Sequence, residues 1–258
     1  VSGRDVRRAL LIGPGQLGRV IGGGLLASGV SVDVVRRGEA IAPRDEHDVV
    51  LVAVGEKDLE PVLAAIPPSH RGRLALLQNE LVPAAWRAHA VVDPTVLVVW
   101  FEKKAGRATQ VVLPTEVAGP HAALFVRALA AMDLPALERE RAALCAALVV
   151  KNLYIVGANV LGLRLGGTTG ALATTHRGEA EGVLREILAI EGSRLSAEEL
   201  GALEDDALIA RTFEAFLADP AHGTLGRTAK ERLARALARA RGAGVEVPTL
   251  EAIAASHA

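Results

Sequence analysis

The stretch "LLIGPGQLGRVIGG", Leu10 to Gly23, runs from apolar residues into glycine, proline and glycine, and then into a helical pattern. Its glycines fall at 13, 15 and 18, which is the spacing G-x-G-x-x-G between a strand and a helix. In such a turn the first glycine permits the bend, the second leaves the backbone open to close approach, and the third lets the helix pack against the strand. A second strand, "SVDVVRR", follows at residues 31–37, so strand, turn, helix and strand come in the order the motif requires. Gly22, Gly23 and Gly24 each cost about 1 kcal/mol relative to alanine inside a helix. Close packing against the sheet or a second domain is the expected reason.

Working outward, short apolar runs without alternation recur up to about residue 115: "DVVLVAVG", "LALLQN", "VLVVWF" and "TQVVLP". Runs of this kind suit strands covered on both faces, hence a parallel α/β sheet. Beyond about residue 120 the apolar residues take three- and four-residue spacing, as in "EGVLREILAI" and "AKERLARALARARGAG", and the second half reads as helical. The expected architecture is an N-terminal Rossmann-type parallel sheet over residues 1–133 followed by an all-α C-terminal domain over 134–258. In "GVEVPT", residues 244–249, glycine and then proline should end the long helix.

Composition narrows the partners. With 29 basic and 30 acidic residues the net charge is -1, which gives no electrostatic argument for nucleic acid or an anionic membrane. Half the residues are hydrophobic, and a small-molecule partner is expected. A single cysteine, Cys145, excludes an intrachain disulfide, and no basic leader with a cleavable apolar segment precedes the first strand, so a cytoplasmic location is expected.

A G-x-G-x-x-G turn opening a helix offers free amides to a diphosphate, so Gly13, Pro14, Gly15, Gln16, Leu17 and Gly18 are the expected cofactor-binding turn. Asp33 stands about 20 residues beyond the first glycine, as in proteins that bind NAD, but it lies toward the start of its strand. The strand ends at Arg36 and Arg37, whose guanidiniums suit a 2′-phosphate. NADP is therefore expected over NAD.

Only five lysines occur, and Lys151 stands inside the apolar stretch "CAALVVKNLYIVGANVLGL", residues 145–163. That stretch is nearly long enough to span a bilayer, but Lys151, Asn152 and Asn159 favour a buried helix. Burial lowers a lysine pKa toward the range of a working proton donor. Asn159, eight residues on, falls about 80° around and about 12 Å along the helix, so both side chains can face one cleft. The alternative is a lysine that reaches solvent or pairs with a carboxylate. "RDEHDVV", residues 44–50, reads as a solvated loop rather than a set of metal ligands, and His176 as a surface or rim residue. Trp100, Phe101 and Cys145 read as packing.

In this order the segments resemble the ketopantoate reductase (2-dehydropantoate 2-reductase) family: "GPGQLG", "VVRRG", "DVVLVAV", "LLQNE", "KNLYIVGANVLGL" and "RARGAGVEVP". The resemblance implies an NADP-dependent oxidoreductase that transfers hydride to a small 2-keto acid or related carbonyl. Apolar content in the lysine helix and in the "ALARARG" helix leads one to expect a homodimer formed through the C-terminal domain. The resemblance also implies that Arg37 contacts the 2′-phosphate, that Gln78 and Asn79 lie by the nicotinamide, with Asn79 also near the substrate, that Lys151 is catalytic and that Asn159 binds substrate. The chain departs from the pattern at several positions. Glu80 replaces the glycine after Asn79, Gly55 stands where a lysine is usual, with Lys57 two residues on, and Ile155 replaces an asparagine. Thr228 occupies the place of a substrate-binding glutamate, with Glu231 one turn later, and "DPAHGTLGR" replaces a serine-rich stretch. These departures leave open a non-catalytic NADP(H)-binding sensor or assembly protein on the same fold.

Overall fold

The computed structural model describes residues 6–43 and 45–257. The chain divides into two compact units, Val1–Leu144 and Cys145–Ala258.

The first unit opens with β1 (Arg8–Ile12), α1 (Gln16–Ala27) and β2 (Ser31–Val35). It continues through β3 (Val49–Val52), α2 (Glu56–Ala65), β4 (Leu74–Leu76), α3 (Pro83–Arg87) and β5 (Thr95–Val98). Then come β6 (Phe101–Glu102), β7 (Gln110–Val111), β8 (Thr115–Ala118), α4 (Ala122–Ala130) and β9 (Ala136–Glu138). Seven strands form one sheet in the order β2-β1-β3-β4-β5-β8-β9, parallel throughout except where β5 meets β8. The order reverses at β1, and in such sheets ligands bind beyond the carboxyl ends of the strands at the reversal. β3, β4 and β5 are buried along their whole length, as their unbroken apolar runs require.

The sheet reaches further along the chain than the sequence suggested. β9 lies past residue 133, and the unit boundary falls at 144/145 rather than 133/134. Its three residues, "ALE", form a largely exposed edge strand, so no apolar run announced it. "TQVVLP" contributes only β7, an exposed two-residue partner of β6 outside the main sheet.

The packing of α1 accounts for its run of glycines. A Cβ on Gly24 would stand 2.0 Å from the carbonyl oxygen of Ala128 in α4, and one on Gly22 would stand 3.2 Å from Leu11 of β1. Gly24 therefore sets how closely two helices of the same unit approach. Gly23 meets only Met132 Sδ at 3.7 Å, an ordinary contact.

The second unit is helical: α5 (Arg141–Leu165), which carries the chain into it, α6 (Thr169–Ala173), α7 (Arg177–Gly192), α8 (Ala197–Gly201), α9 (Asp205–Ala218), α10 (Ala229–Ala243) and α11 (Pro248–Ala255). α5 is long and apolar enough to cross a membrane, yet 78% of its most apolar window is buried in the protein. The left-handed Gly244, at φ +68°, ends α10, and Pro248 starts α11.

Candidate functional site

In the first unit the glycine turn follows β1 and is hydrogen-bonded to β2, with Gly13 N donating to Val35 O at 3.0 Å. Gly13 has φ +86°, and a Cβ there would stand 2.8 Å from Val54 Cγ1. A Cβ on Gly18 would stand 2.6 Å from Gly13 O and 3.1 Å from Ala53 Cβ. Both glycines are thus required by the fold itself. Gly15 differs: its φ of -70° suits any residue, and nothing lies within 4 Å of where its Cβ would be. Gly15 is also the N-cap of α1, with no side-chain cap bond and no acidic residue in the first turn. Pro14, Gln16 and Leu17 complete a turn whose helix end presents backbone amides and no competing carboxylate.

Arg36 and Arg37 stand just beyond the end of β2, as expected. Arg37 Nη2 donates to Asp58 Oδ2 at 2.6 Å, and Arg36 pairs with Glu39 through its backbone N–H at 2.7 Å. The Arg37 side chain is 80% exposed, so its pair with Asp58 is worth about 1 kcal/mol or less and would yield to a phosphate. Asp33 is already occupied: it accepts from Arg8 Nε at 2.8 Å and lies 2.8 Å from His47 Nε2. The His47 hydrogen bond, and next that of Arg8, hold its carboxyl below the usual carboxylate range.

The "RDEHDVV" segment is solvated at Asp45 and Glu46, as its composition suggested, but not at His47, and Arg44 lies outside the described residues. His47 is fully buried, and Asp48 accepts from the backbone N–H groups of Arg7 and Arg8 at 2.8 and 3.1 Å. Asp33, Glu46 and His47 bring ligand-type atoms within 4.8 Å of one another, but Arg8 bridges them, reaching Glu46 at 3.7 Å. That arrangement is an ion-pair network which ties β1, β2 and the approach to β3 together.

Gln78 and Asn79 follow β4. The Gln78 side chain is 7% exposed and donates to Val52 O at 2.7 Å and Val54 O at 3.3 Å, binding the ends of β3 and β4 together. Asn79 Nδ2 donates to Glu56 Oε1 at 3.0 Å, at the start of α2. Glu80, where the family has glycine, keeps a left-handed backbone at φ +59°. A left-handed backbone costs a residue with a side chain roughly 1 to 2 kcal/mol. Gly55 caps α2, and Lys57 is exposed on its first turn.

In the second unit Lys151 and Asn159 both lie on α5. Lys151 is half-buried, with its ammonium 5.5 Å from the centroid of the Tyr154 ring, within cation–π reach. Burial, and next the nearby Arg232 guanidinium, push its pKa from 10.5 down to about 7. Asn159 is 5% exposed and accepts through Oδ1 from Arg232 Nη1 at 3.0 Å. The segment "DPAHGTLGR" completes the surroundings of Asn159. It is fastened to α6 by Gly170 N to Pro220 O at 3.0 Å and by Thr169 Oγ1 to Asp219 O at 2.6 Å. It brings Gly226 so close that a Cβ there would stand 2.5 Å from Asn159 Oδ1.

Thr228 and Glu231 are both exposed, Thr228 as the N-cap residue of α10 and Glu231 in its first turn. The next side chain, Arg232, is the buried one, 8% exposed, and it is the one that reaches Asn159. Sequence reasoning missed it because one arginine among several in "AKERLARALARARG" carries no distinguishing signal. Only its position on the inner face of α10, beside Leu233 and Ala236, sets it apart.

Asn152, next to Lys151, turns away to Glu191, donating to Oε2 at 3.3 Å. Glu191 also takes Arg194 at 2.6 Å and lies 3.9 Å from Arg239, which joins α5, α7 and α10 through one buried carboxylate. His176 is the N-cap of α7, His222 lies 3.5 Å from Asp219, and Cys145 is partly exposed.

No family model matches the chain, and no curated protein matches it. Among solved structures it is similar to 2-dehydropantoate 2-reductase from Geobacter metallireducens, at 18% identity and TM-score 0.65, over 96% of this chain and 98% of that one. It is also similar to the PanE/ApbA family ketopantoate reductase from Ralstonia eutropha, at 21% identity and TM-score 0.63, over 96% of each chain. D-mandelate dehydrogenase, solved with NADH and anilino(oxo)acetate, is similar at 14% identity and TM-score 0.65, again over 96% of each chain. Along almost its whole length, and at a distance in sequence, the chain has the fold of the ketopantoate reductases.

Proposed function

We propose that the protein is an NADP-dependent oxidoreductase that reduces a small 2-keto acid or related carbonyl. The observation that carries this reading is Gly15, a glycine with an ordinary backbone conformation and empty space around its Cβ position. Among the described residues no contact requires glycine there. A diphosphate seated on the first amides of α1 does. The residues present fit such a group: the turn from Gly13 to Gly18 for the diphosphate, Arg36 and Arg37 for a 2′-phosphate, and Gln78 and Asn79 toward the nicotinamide.

When bound, the nicotinamide supplies the hydride. Lys151 would hold the carbonyl oxygen and, with a pKa of about 7, donate a proton to it as negative charge develops. Asn159 would orient the substrate beside it. The solved neighbours support this chemistry by their own descriptions, as ketopantoate reductases and as a mandelate dehydrogenase with NADH. The same reading takes the protein to be a cytoplasmic homodimer, as the Staphylococcus aureus neighbour is described to be dimeric, and sedimentation at the dimer mass is expected.

The test is NADPH oxidation, followed by the fall in nicotinamide absorbance, with a panel of 2-keto acids. Turnover that disappears in Lys151→Ala is the expected result. NADPH binding without oxidation of any member would favour the sensor reading, which the exposure of Thr228 and Glu231 supports.

A further inference from the structure

The two flanks of the glycine turn are joined by an ion pair of which the resemblance assigns only one member. β1 lies between β2 and β3 in the sheet, so the turn that follows β1 has the chain leaving β2 on one side and the start of α2 on the other. Gly13 N donates to Val35 O at 3.0 Å, and a Cβ on Gly13 would stand 2.8 Å from Val54 Cγ1, so both flanks are close against the turn. From these flanks, 21 residues apart in the chain, Arg37 Nη2 and Asp58 Oδ2 meet at 2.6 Å. All of these residues belong to the first unit.

We infer that Asp58 is a specificity-determining residue of the cofactor site: its carboxylate is an internal stand-in for a 2′-phosphate, holding Arg37 while no phosphate is present and opposing NADPH, but not NADH, when a dinucleotide binds. The inference rests on the reading of the turn from Gly13 to Gly18 as a dinucleotide site.

Three physical points carry it. Asp58 takes a terminal nitrogen of Arg37, and the terminal nitrogens belong to the fork with which a guanidinium grips a phosphate, so carboxylate and phosphate compete for one position. The Arg37 side chain is 80% exposed and the pair is a single contact screened by solvent, so an incoming phosphate can reach and displace it. Asp33, held by both Arg8 and His47, has no such freedom. Finally, Asp58 stands in the first turn of α2, where the helix end favours a negative charge with or without Arg37, and a displaced carboxylate still repels the phosphate that replaced it.

The experiment measures binding of adenosine 2′,5′-bisphosphate and of adenosine 5′-monophosphate, which differ only in the 2′-phosphate, by calorimetry on the full chain, with NADPH and NADH titrated alongside. Asp58→Asn keeps the shape of the side chain and removes its charge. It should tighten the bisphosphate and NADPH by about fivefold, the worth of an exposed ion pair, and leave the monophosphate and NADH within about twofold. In an Arg37→Gln background there is no guanidinium to compete for, and the gain should fall below about twofold.

Unchanged or weaker bisphosphate binding in Asp58→Asn would overturn the inference, weaker binding marking Asp58 as a support for Arg37 instead of its competitor. An undiminished gain in the Arg37→Gln background, or an equal gain for the monophosphate, would overturn it too, since net charge alone would then explain the effect. Melting curves establish that the variants fold. The expected nucleotide affinities with no oxidation of NADPH by any keto acid would leave Asp58 in its role and remove the reductase reading. NADPH turnover with unchanged nucleotide affinities in Asp58→Asn would do the reverse, and wild-type and Asp58→Asn proteins that bind no nucleotide would overturn both.

Discussion

At the scale of single residues, the three glycines of the turn make different predictions because their surroundings differ. Gly15→Ala meets no atom and adopts no strained backbone, so its melting temperature should stay within a degree or two of wild type while NADPH affinity falls at least about tenfold. Gly18→Ala drives a methyl to 2.6 Å from Gly13 O and should instead destabilise the protein by about 1 to 3 kcal/mol. Thermal melts and NADPH titrations on the two variants separate the ligand-facing glycine from the packing one. A Gly15→Ala variant that binds NADPH like wild type would count against the cofactor reading.

Lys151 makes a pH prediction of definite sign. Its folded pKa, about 7, lies below the 10.5 of the unfolded chain, so between these values the unfolded chain binds more protons and stability rises with pH. The cost is therefore complete below pH 7, on the order of 5 kcal/mol, and is gone above about pH 10.5. Lys151→Met should raise stability at pH 6, and its advantage should shrink progressively from pH 7 to 10.5, as denaturant titrations at several pH values would show. On the proposed mechanism turnover in the reductive direction would need the protonated amine, so kcat/KM should decline as pH rises through about 7.

At the scale of elements, the approach of α1 to α4 rests on one atom pair. Gly24→Ala places a methyl 2.0 Å from Ala128 O, which is backbone and cannot swing aside, so the helices must separate and about 2 to 4 kcal/mol should be lost. Gly23→Ala, one residue away, finds Met132 Sδ at 3.7 Å and gains helix propensity, so stability should rise by roughly 0.5 to 1 kcal/mol. Opposite signs at adjacent glycines of one helix, read from denaturant midpoints, are the expected outcome. In the second unit Gly162 acts as Gly24 does, with a Cβ position 2.8 Å from the backbone Thr224 C, whereas a Cβ on Gly157 would meet the tip of the Leu184 side chain in α7, 2.6 Å away. The first of these approaches sets α5 against the segment that carries Gly226 to Asn159.

For the whole molecule, ligand linkage gives the broadest test. A cofactor that binds only the folded form stabilises it by about 2.7 kcal/mol at a concentration a hundred times its dissociation constant. On the proposed NADP reading, NADPH should therefore raise the melting temperature at concentrations where NADH does not, because Arg36 and Arg37 would meet the 2′-phosphate while Asp33 is held by Arg8 and His47. The double variant Arg36→Gln, Arg37→Gln should lose most of this difference and keep its response to NADH.

The sequence by itself determined the parallel sheet, the turn at Gly13 to Gly18 and the helical second half, because unbroken apolar runs, glycine spacing and helical periodicity are local signals. It also singled out Lys151, whose oddity is one charge within an apolar stretch. Tertiary structure alone decided the rest. β9 is an exposed edge strand that exists only because β8 offers it hydrogen-bonding partners. His47 is buried in a segment whose composition reads as solvated, with its Nε2 2.8 Å from Asp33 Oδ2 on β2. Arg232 reaches Asn159 across 73 residues of chain, while Glu231 beside it faces water. Which of two adjacent charged residues turns inward depends on the helix opposite, and no local pattern contains that information.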